Sequence, residues 1–117
     1  MIIEKFEDVV AWQKARIFVN EIYKKFSLSR DFGFRDQILR ASVSVMNNIA
    51  EGFEKRSNKD FKKYLVISKG SCGEVRSMLY LAKDFKYIDQ KDFELFYGMT
   101  IEISKIISGF IKSLNLN

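Results

Sequence analysis

Five polar side chains, Gln37, Arg40, Ser44, Asn48 and Glu51, follow one another at steps of three, four, four and three residues. At about 100° per residue, the turn of an α-helix, that spacing stacks them in one narrow stripe. A solvated helix face is ordinarily Lys and Glu. Ser and Asn compete for backbone hydrogen bonds, so a helix gains little from them on a merely wet face. The stripe therefore reads as a bonding surface toward a neighbouring helix, another subunit or a ligand. The plainer alternative is an ordinary surface with accidental spacing. Arg40 carries a planar fork suited to a carboxylate, and Glu51 or the more distant Glu74 could answer it.

A second constellation is cationic. Lys55, Arg56, Lys59, Lys62, Lys63 and Lys69 face one acid, Asp60, over residues 55–69, so this block alone equals the net charge of +5. Lys62, Lys69, Arg76 and Lys83 recur every seven residues. That spacing keeps them on one helix ridge, about 10 Å apart at 1.5 Å per residue. A row of cations on a rigid edge can follow a phosphate backbone without reading bases, and Tyr64 and Tyr80 beside it could stack on exposed bases. A solvated face that keeps the chain soluble is the alternative. The expected phosphate contacts are Lys55, Arg56, Lys59, Lys62, Lys69, Arg76 and Lys83.

Other chemistry finds little support. The sequence has no His and one cysteine, Cys72. That excludes a typical zinc site, Ser-His-Asp or Cys-His catalysis and an internal disulfide. Neither G-x-x-x-x-G-K-[ST] nor G-x-G-x-x-G occurs. A carboxylate enzyme built on Glu51 and Glu74 would lack a base, a metal or a nucleotide loop to accompany them. No cofactor or small-molecule substrate is expected. There is no run of apolar residues long enough to span a membrane, and acids follow the first residues too soon for a signal peptide. A cytoplasmic location is the expectation.

The elements that must position these residues are helices. Across 117 residues there is no Pro and there are only six Gly, while 47% of residues are hydrophobic. This favours one domain of long helices over a turn-rich β fold. Residues 1–7 read as an arm or extended lead-in. The first helix is expected over 8–26, capped by Asp8, with Val9, Trp12, Ile17, Val19, Ile22, Tyr23 and Phe26 on its apolar face. Gln13 reads equally as surface or as a partner of the polar stripe. Residues 27–34 form a connector in which Phe32 and Phe34 pin the loop to the core. The second helix opens at Arg35 or Asp36 and stops near Gly52 or Glu54, with Gly52 serving as a cap or a close backbone approach.

Ser57 and Asp60 have the form of a capping box for a third helix over 58–85. One face of that helix carries Phe61, Leu65, Ser68, Cys72, Val75 and Leu79. A second carries Ile67, Gly70, Glu74, Ser77 and Leu81, so two buried faces are expected, with Gly70 and Gly73 allowing another backbone to come close. Asp89 caps a fourth helix that continues to about Leu114, and 115–117 should fray. The pattern predicts an all-α, up-down-up-down antiparallel four-helix bundle. Trp12, Ile38, Val45, Ile49, Leu65, Cys72, Leu79, Phe93, Ile103 and Phe110 should lie in its core.

The central stretch Q-I-L-R-A-S-V-S-V-M-N-N-I-A-E-G resembles the signature of the four-helix-bundle family of proteins encoded in 23S rRNA intervening sequences, roughly Q-x-x-R-A-x-x-S-I-x-x-N-I-A-E-G. Gln37, Arg40, Ala41, Ser44, Asn48, Ile49, Ala50, Glu51 and Gly52 match, and Val45 replaces the usual Ile. Trp12-Gln13 matches the family's aromatic-Gln pair, and Gly70, Ser71 and Glu74 match its later G-S-x-x-E. The likeness thus runs over nearly the whole chain. It implies a non-enzymatic bundle that assembles with copies of itself. Relatives include an accessory protein of diversity-generating retroelements, a pentameric ring with a basic surface that engages a reverse transcriptase and nucleic acid. By that resemblance a homopentamer with RNA as ligand is implied here. Two functional expectations follow. One is a homo-oligomeric nucleic-acid-binding bundle. The other is a protein-interaction scaffold whose polar network, Gln37, Arg40, Ser44, Asn48, Glu51 and Glu74, holds helices or subunits together with no nucleic acid involved.

Overall fold

The computed structural model describes residues 3–115. Four α-helices, α1 (Val10–Phe26), α2 (Phe32–Glu54), α3 (Asn58–Asp84) and α4 (Gln90–Asn115), follow a short 3-10 turn at Phe6–Asp8. Each packs on the next in an up-down arrangement, and α1 also packs on α4, so the four form a closed ring around one core within 46 × 21 × 19 Å. Ring contacts fix the antiparallel sense. Phe61 near the start of α3 meets Phe110 near the end of α4, while Tyr80 near the end of α3 meets Phe93 near the start of α4. Lys25–Asp92 (2.7 Å) and Lys14–Glu102 (3.5 Å) tie α1 to α4 at the surface.

Side-chain caps set three helix starts. The Phe34 N–H donates to Asp31 Oδ1 (3.2 Å), the Asp60 N–H to Ser57 Oγ (3.1 Å) and the Asp92 N–H to Asp89 Oδ1 (2.8 Å), each satisfying an orphan donor of a first turn. α2 thus begins at Phe32, earlier than expected. Phe34 is buried, but Phe32 is exposed and lies under the Arg35 guanidinium, so only one of the pair pins the loop. α3 ends in a Schellman arrangement. Lys86 takes a left-handed φ of 64°, and the Tyr87 N–H reaches back to the Ala82 carbonyl at 2.8 Å. The Tyr87 hydroxyl then donates to Asp31 Oδ2 (2.6 Å), latching the α3–α4 turn to the α1–α2 turn.

The amino-terminal lead-in is a packed turn, not an arm. Phe6 and Ile3 rest on the core, and Trp12 stands edge-on to Phe6 with ring centroids 5.1 Å apart. Gln13 donates to the Glu7 carbonyl (2.8 Å). The Trp12-Gln13 pair therefore secures this turn, and Gln13 is not a partner of the polar stripe. Asp8 lies within the turn and does not cap α1, whose flanking residue is Val9 with no side-chain bond. Asn115 is still helical. Met1, Ile2, Leu116 and Asn117 of the expected arm and frayed end lie outside the described residues.

The expected core is buried except for Trp12 and Phe110, which are half-buried against it. α1 is rotated from its expected phase. Ala11, Ala15, Phe18, Ile22 and Phe26 face inward, while Ile17 and Tyr23 are exposed. On α3 the first face is buried throughout, but Ile67, Gly70, Glu74, Ser77 and Leu81 are all exposed, so the second face is uncovered in the single chain. No atom lies within 4 Å of a Cβ built on Gly70, and at Gly73 the nearest is Arg76 Nη2 at 3.8 Å. Neither glycine admits another backbone of this chain. Gly52 does: a Cβ there would meet the Tyr64 Cβ at 2.5 Å. α2 runs on past it to Glu54, and the left-handed residue is Arg56 (φ 61°), so Gly52 is a point of close approach and not a cap.

Candidate functional site

The α2–α3 seam is built from small residues. Ala41 and Gly52 of α2 and Ser68, Ser71 and Cys72 of α3 are buried. Small side chains let two backbones approach, and the polar ones need partners once out of water. Ser68 Oγ donates to the Val45 carbonyl (2.6 Å) across the seam. Ser44 and Ser71 share a hydrogen bond between hydroxyls at 2.8 Å. Asn48 Nδ2 donates to both the carbonyl and the hydroxyl of Ser44 (2.9 Å each). Gln37 Nε2 reaches Glu74 Oε2 at 3.5 Å, the outer limit of such a bond. Two stripe residues, Gln37 and Ser44, thus meet the G-S-x-x-E residues Glu74 and Ser71 across two antiparallel helices, and Asn48 braces Ser44 from within α2.

Arg40 and Glu51 do not join that network. Both are exposed, and among the described residues neither makes an ion pair. Among the described residues, Arg40 therefore has no carboxylate partner. It borders an open groove of about 440 Å³ together with Gln37, Ala41, Ser44 and Glu74. Cys72, beneath this seam, is a core residue. Burial pushes its thiol up to about 11, with a smaller opposing pull from Arg76, so the thiolate needed for nucleophilic work is suppressed.

The cations divide by environment. Arg56 is engaged. It lies over the Phe53 ring (5.0 Å), pairs with Glu54 (3.9 Å) and donates to the Glu4 carbonyl (3.3 Å), fastening the lead-in to the end of α2. Lys55 sits 5.8 Å from the centre of the Tyr64 ring. Lys59 and Lys62 are exposed at the start of α3. Lys69 and Arg76 lie farther along the same ridge, and there the structure adds what the sequence reading missed. Lys105 and Lys112 of α4, themselves seven residues apart, stand across the α3–α4 seam from them. The four cations line a groove of about 420 Å³ with Ile101, Ser104, Ser108 and Gly109. No acid borders this groove, and none of its four cations has an ion pair among the described residues. Four unpaired cations with two hydroxyls among them concentrate positive potential along this groove. Lys83 lies beyond them with its ammonium 4.9 Å from the centre of the Phe93 ring.

Among the described residues, no group of three or more His, Cys, Asp or Glu side chains could hold a metal ion. None of their helices is long and apolar enough to cross a membrane. What fold and seam define together is a four-helix bundle with a polar α2–α3 junction and a cationic α3–α4 groove. The profile of the 23S rRNA-intervening sequence proteins matches residues 7–109, and the chain belongs to that family. It is also similar to a protein of unknown function from the S23 ribosomal protein family of Bacteroides thetaiotaomicron VPI-5482, solved by crystallography at 1.70 Å. The two share 26% identity, with a TM-score of 0.82 over 88% of this chain and 96% of that one. No curated protein matches the chain.

Proposed function

We propose that this chain is a non-enzymatic, homo-oligomeric nucleic-acid-binding protein that grips the phosphate backbone, with RNA as its ligand. The observation that carries the reading is the acid-free groove of Lys69, Arg76, Lys105 and Lys112. Surface cations scattered for solubility usually find acids within reach. Here four are held without one on two packed helices, where their field is focused. Lys62 and Lys59 extend the ridge toward the start of α3, and Lys83 toward its end. Such contacts position a backbone and carry no base information.

Self-association is supported by the uncovered second face of α3. Ile67 and Leu81 are 43% and 44% exposed and flank Gly70 and Ser77. The unpaired Arg40 lies on the neighbouring α2–α3 groove, where a carboxylate of another copy could reach it. Five copies are the number implied by resemblance to the retroelement accessory protein. Oligomerisation would multiply the cationic field around one axis. The same uncovered face favours a second reading, a protein-interaction scaffold with no nucleic-acid ligand.

Solution mass followed by binding of unrelated RNAs at two salt concentrations separates the two. The first reading expects an oligomer that binds all of them at low salt, with affinity falling steeply as salt rises. An oligomer that binds none of them at low salt supports the scaffold.

A further inference from the structure

The groove does not end at its four cations. Along α3 beyond Lys69 and Arg76, the next exposed side chain on the groove side is Tyr80. It is 51% exposed and makes edge contacts with two rings of α4, Phe93 at 5.0 Å and Tyr97 at 6.1 Å between centroids. The neighbouring Tyr97 hydroxyl holds the Tyr80 phenol above its ordinary value. Lys83 follows over Phe93. From Lys69 to Lys83 the track is about 21 Å long at 1.5 Å per residue. Along it the cationic groove comes first, then the fixed aromatic step, then a last cation.

We propose that this track takes single-stranded nucleic acid, with the backbone lying between Lys69, Arg76, Lys105 and Lys112 and an unpaired base stacked on Tyr80. The inference rests on the phosphate-binding reading and narrows it. Two features favour a single strand over a duplex. A groove with cations on both walls admits one backbone between them, whereas a duplex laid along the seam presents phosphates to the rim alone. Tyr80 offers half its surface beside the groove, and bases stacked inside a duplex have no free face for it to meet. Single-strand binders combine these two parts, a cationic groove tracking the backbone and aromatic platforms for bases. The edge contacts with Phe93 and Tyr97 hold the Tyr80 ring in place before any ligand arrives, so little side-chain freedom is lost on stacking.

The test compares a fluorescent single-stranded RNA, a single-stranded DNA of the same sequence and a hairpin duplex with the same number of phosphates. Each is titrated by anisotropy with wild type, Tyr80→Leu and Tyr80→Phe. The expected result is tighter binding of both single strands than of the duplex. Tyr80→Leu, which keeps apolar bulk but loses the ring, should weaken single-strand binding about 5- to 100-fold and leave the salt dependence unchanged. Tyr80→Phe should bind as wild type does. RNA and DNA strands binding alike assigns recognition to phosphate and base, and a preference for RNA adds the 2′-hydroxyl to it. Duplex binding equal to or tighter than single-strand binding overturns the single-strand track while leaving phosphate binding standing. So does a folded Tyr80→Leu that binds single strands like wild type. Should Tyr80→Leu not fold, the wild-type comparison of single strand with duplex decides alone. Binding of none of the three at low salt removes the phosphate reading and this inference with it.

Discussion

Replacing Gly52 by Ala should destabilise the bundle, although Ala is the better helix former. The added Cβ would stand 2.5 Å from the Tyr64 Cβ and 3.2 Å from both the Tyr64 Cγ and the Phe61 Cδ1. Carbon atoms settle at about 3.5–4.0 Å, so Tyr64 must retreat by roughly 1 Å. Its Cβ is bonded directly to the α3 backbone and cannot swing away like a side-chain tip, so the start of α3 must move. Forcing a methyl group into a packed site costs about 1–3 kcal/mol, and the gain in helix propensity returns at most about 1 kcal/mol. A net loss of about 1–2 kcal/mol lowers the melting temperature by roughly 3–10 °C in a domain of this size. Gly70→Ala is the internal contrast. Nothing lies within 4 Å of its Cβ and it sits in mid-helix, so the chain itself should gain about 0.5–1 kcal/mol. Melting followed by circular dichroism at matched protein concentration reads both variants. A Gly52→Ala protein that melts at or above wild type would refute the close approach of α2 and α3. If copies pack on the Gly70 face, Gly70→Ala should also lower the solution mass, a result the single chain gives no reason to expect.

Three further outcomes follow from the structure. Arg40→Ala should change the melting temperature of the separated chain little, because Arg40 is exposed and unpaired within it, but should dissociate an oligomer in which another copy supplies its carboxylate; light scattering checks this. The Asp31–Tyr87 latch should give stability a pH dependence at both extremes. Its hydrogen bond, with the Phe34 N–H second, holds the Asp31 carboxyl below its ordinary value of 3.8, and the same bond foremost holds Tyr87 above 10.0. The first contribution is present above pH 3.8 and lost as pH falls through the lowered value, while the second is present below pH 10.0 and lost as pH rises through the raised one. The difference in melting temperature between wild type and Asp31→Asn should accordingly be level across neutral pH and shrink at both ends. Cys72, buried and with its thiol at about 11, should react with a thiol reagent at neutral pH only after denaturant is added, and labelling of the folded chain at the rate of a free thiol would contradict that.

The bundle was legible because α2, α3 and α4 keep their apolar residues on a regular period, no Pro interrupts them, and Ser57 and Asp89 mark two of the starts. α1 was harder. Val10, Ile17 and Tyr23 are large, apolar or aromatic, and exposed, while Ala11 and Ala15 are small and buried, so hydrophobic size pointed to the wrong phase. Gly52 left two meanings open because only the distance to Tyr64 decides between them, and that distance belongs to two helices together. The cationic groove was half visible. The row on α3 stood out by its spacing, but Lys105 and Lys112 were passed over because α4 was read for its core face. Their seven-residue spacing was an available signal. Which lysine of α4 faces which cation of α3 depends on the register set by the turn at 85–89, and no single-helix pattern contains it. The polar stripe was visible as a stripe, but its division into seam residues, Ser44 and Asn48, and outward residues, Arg40 and Glu51, required α3 in place.

The central claim is that the α3–α4 groove holds phosphate backbone, and the most direct measurement is the salt dependence of RNA binding when that groove alone is neutralised. Lys69, Arg76, Lys105 and Lys112, all replaced by Gln, lose four cations and no ion pair, so the melting temperature should stay close to that of wild type. If each cation neutralises one phosphate, the slope of log affinity against log salt for a single-stranded RNA should become shallower by about 3 per subunit engaged, with affinity falling alike for unrelated sequences. An unchanged slope, in a variant that folds and binds as wild type does, would place binding elsewhere and leave the groove an ordinary wetted surface.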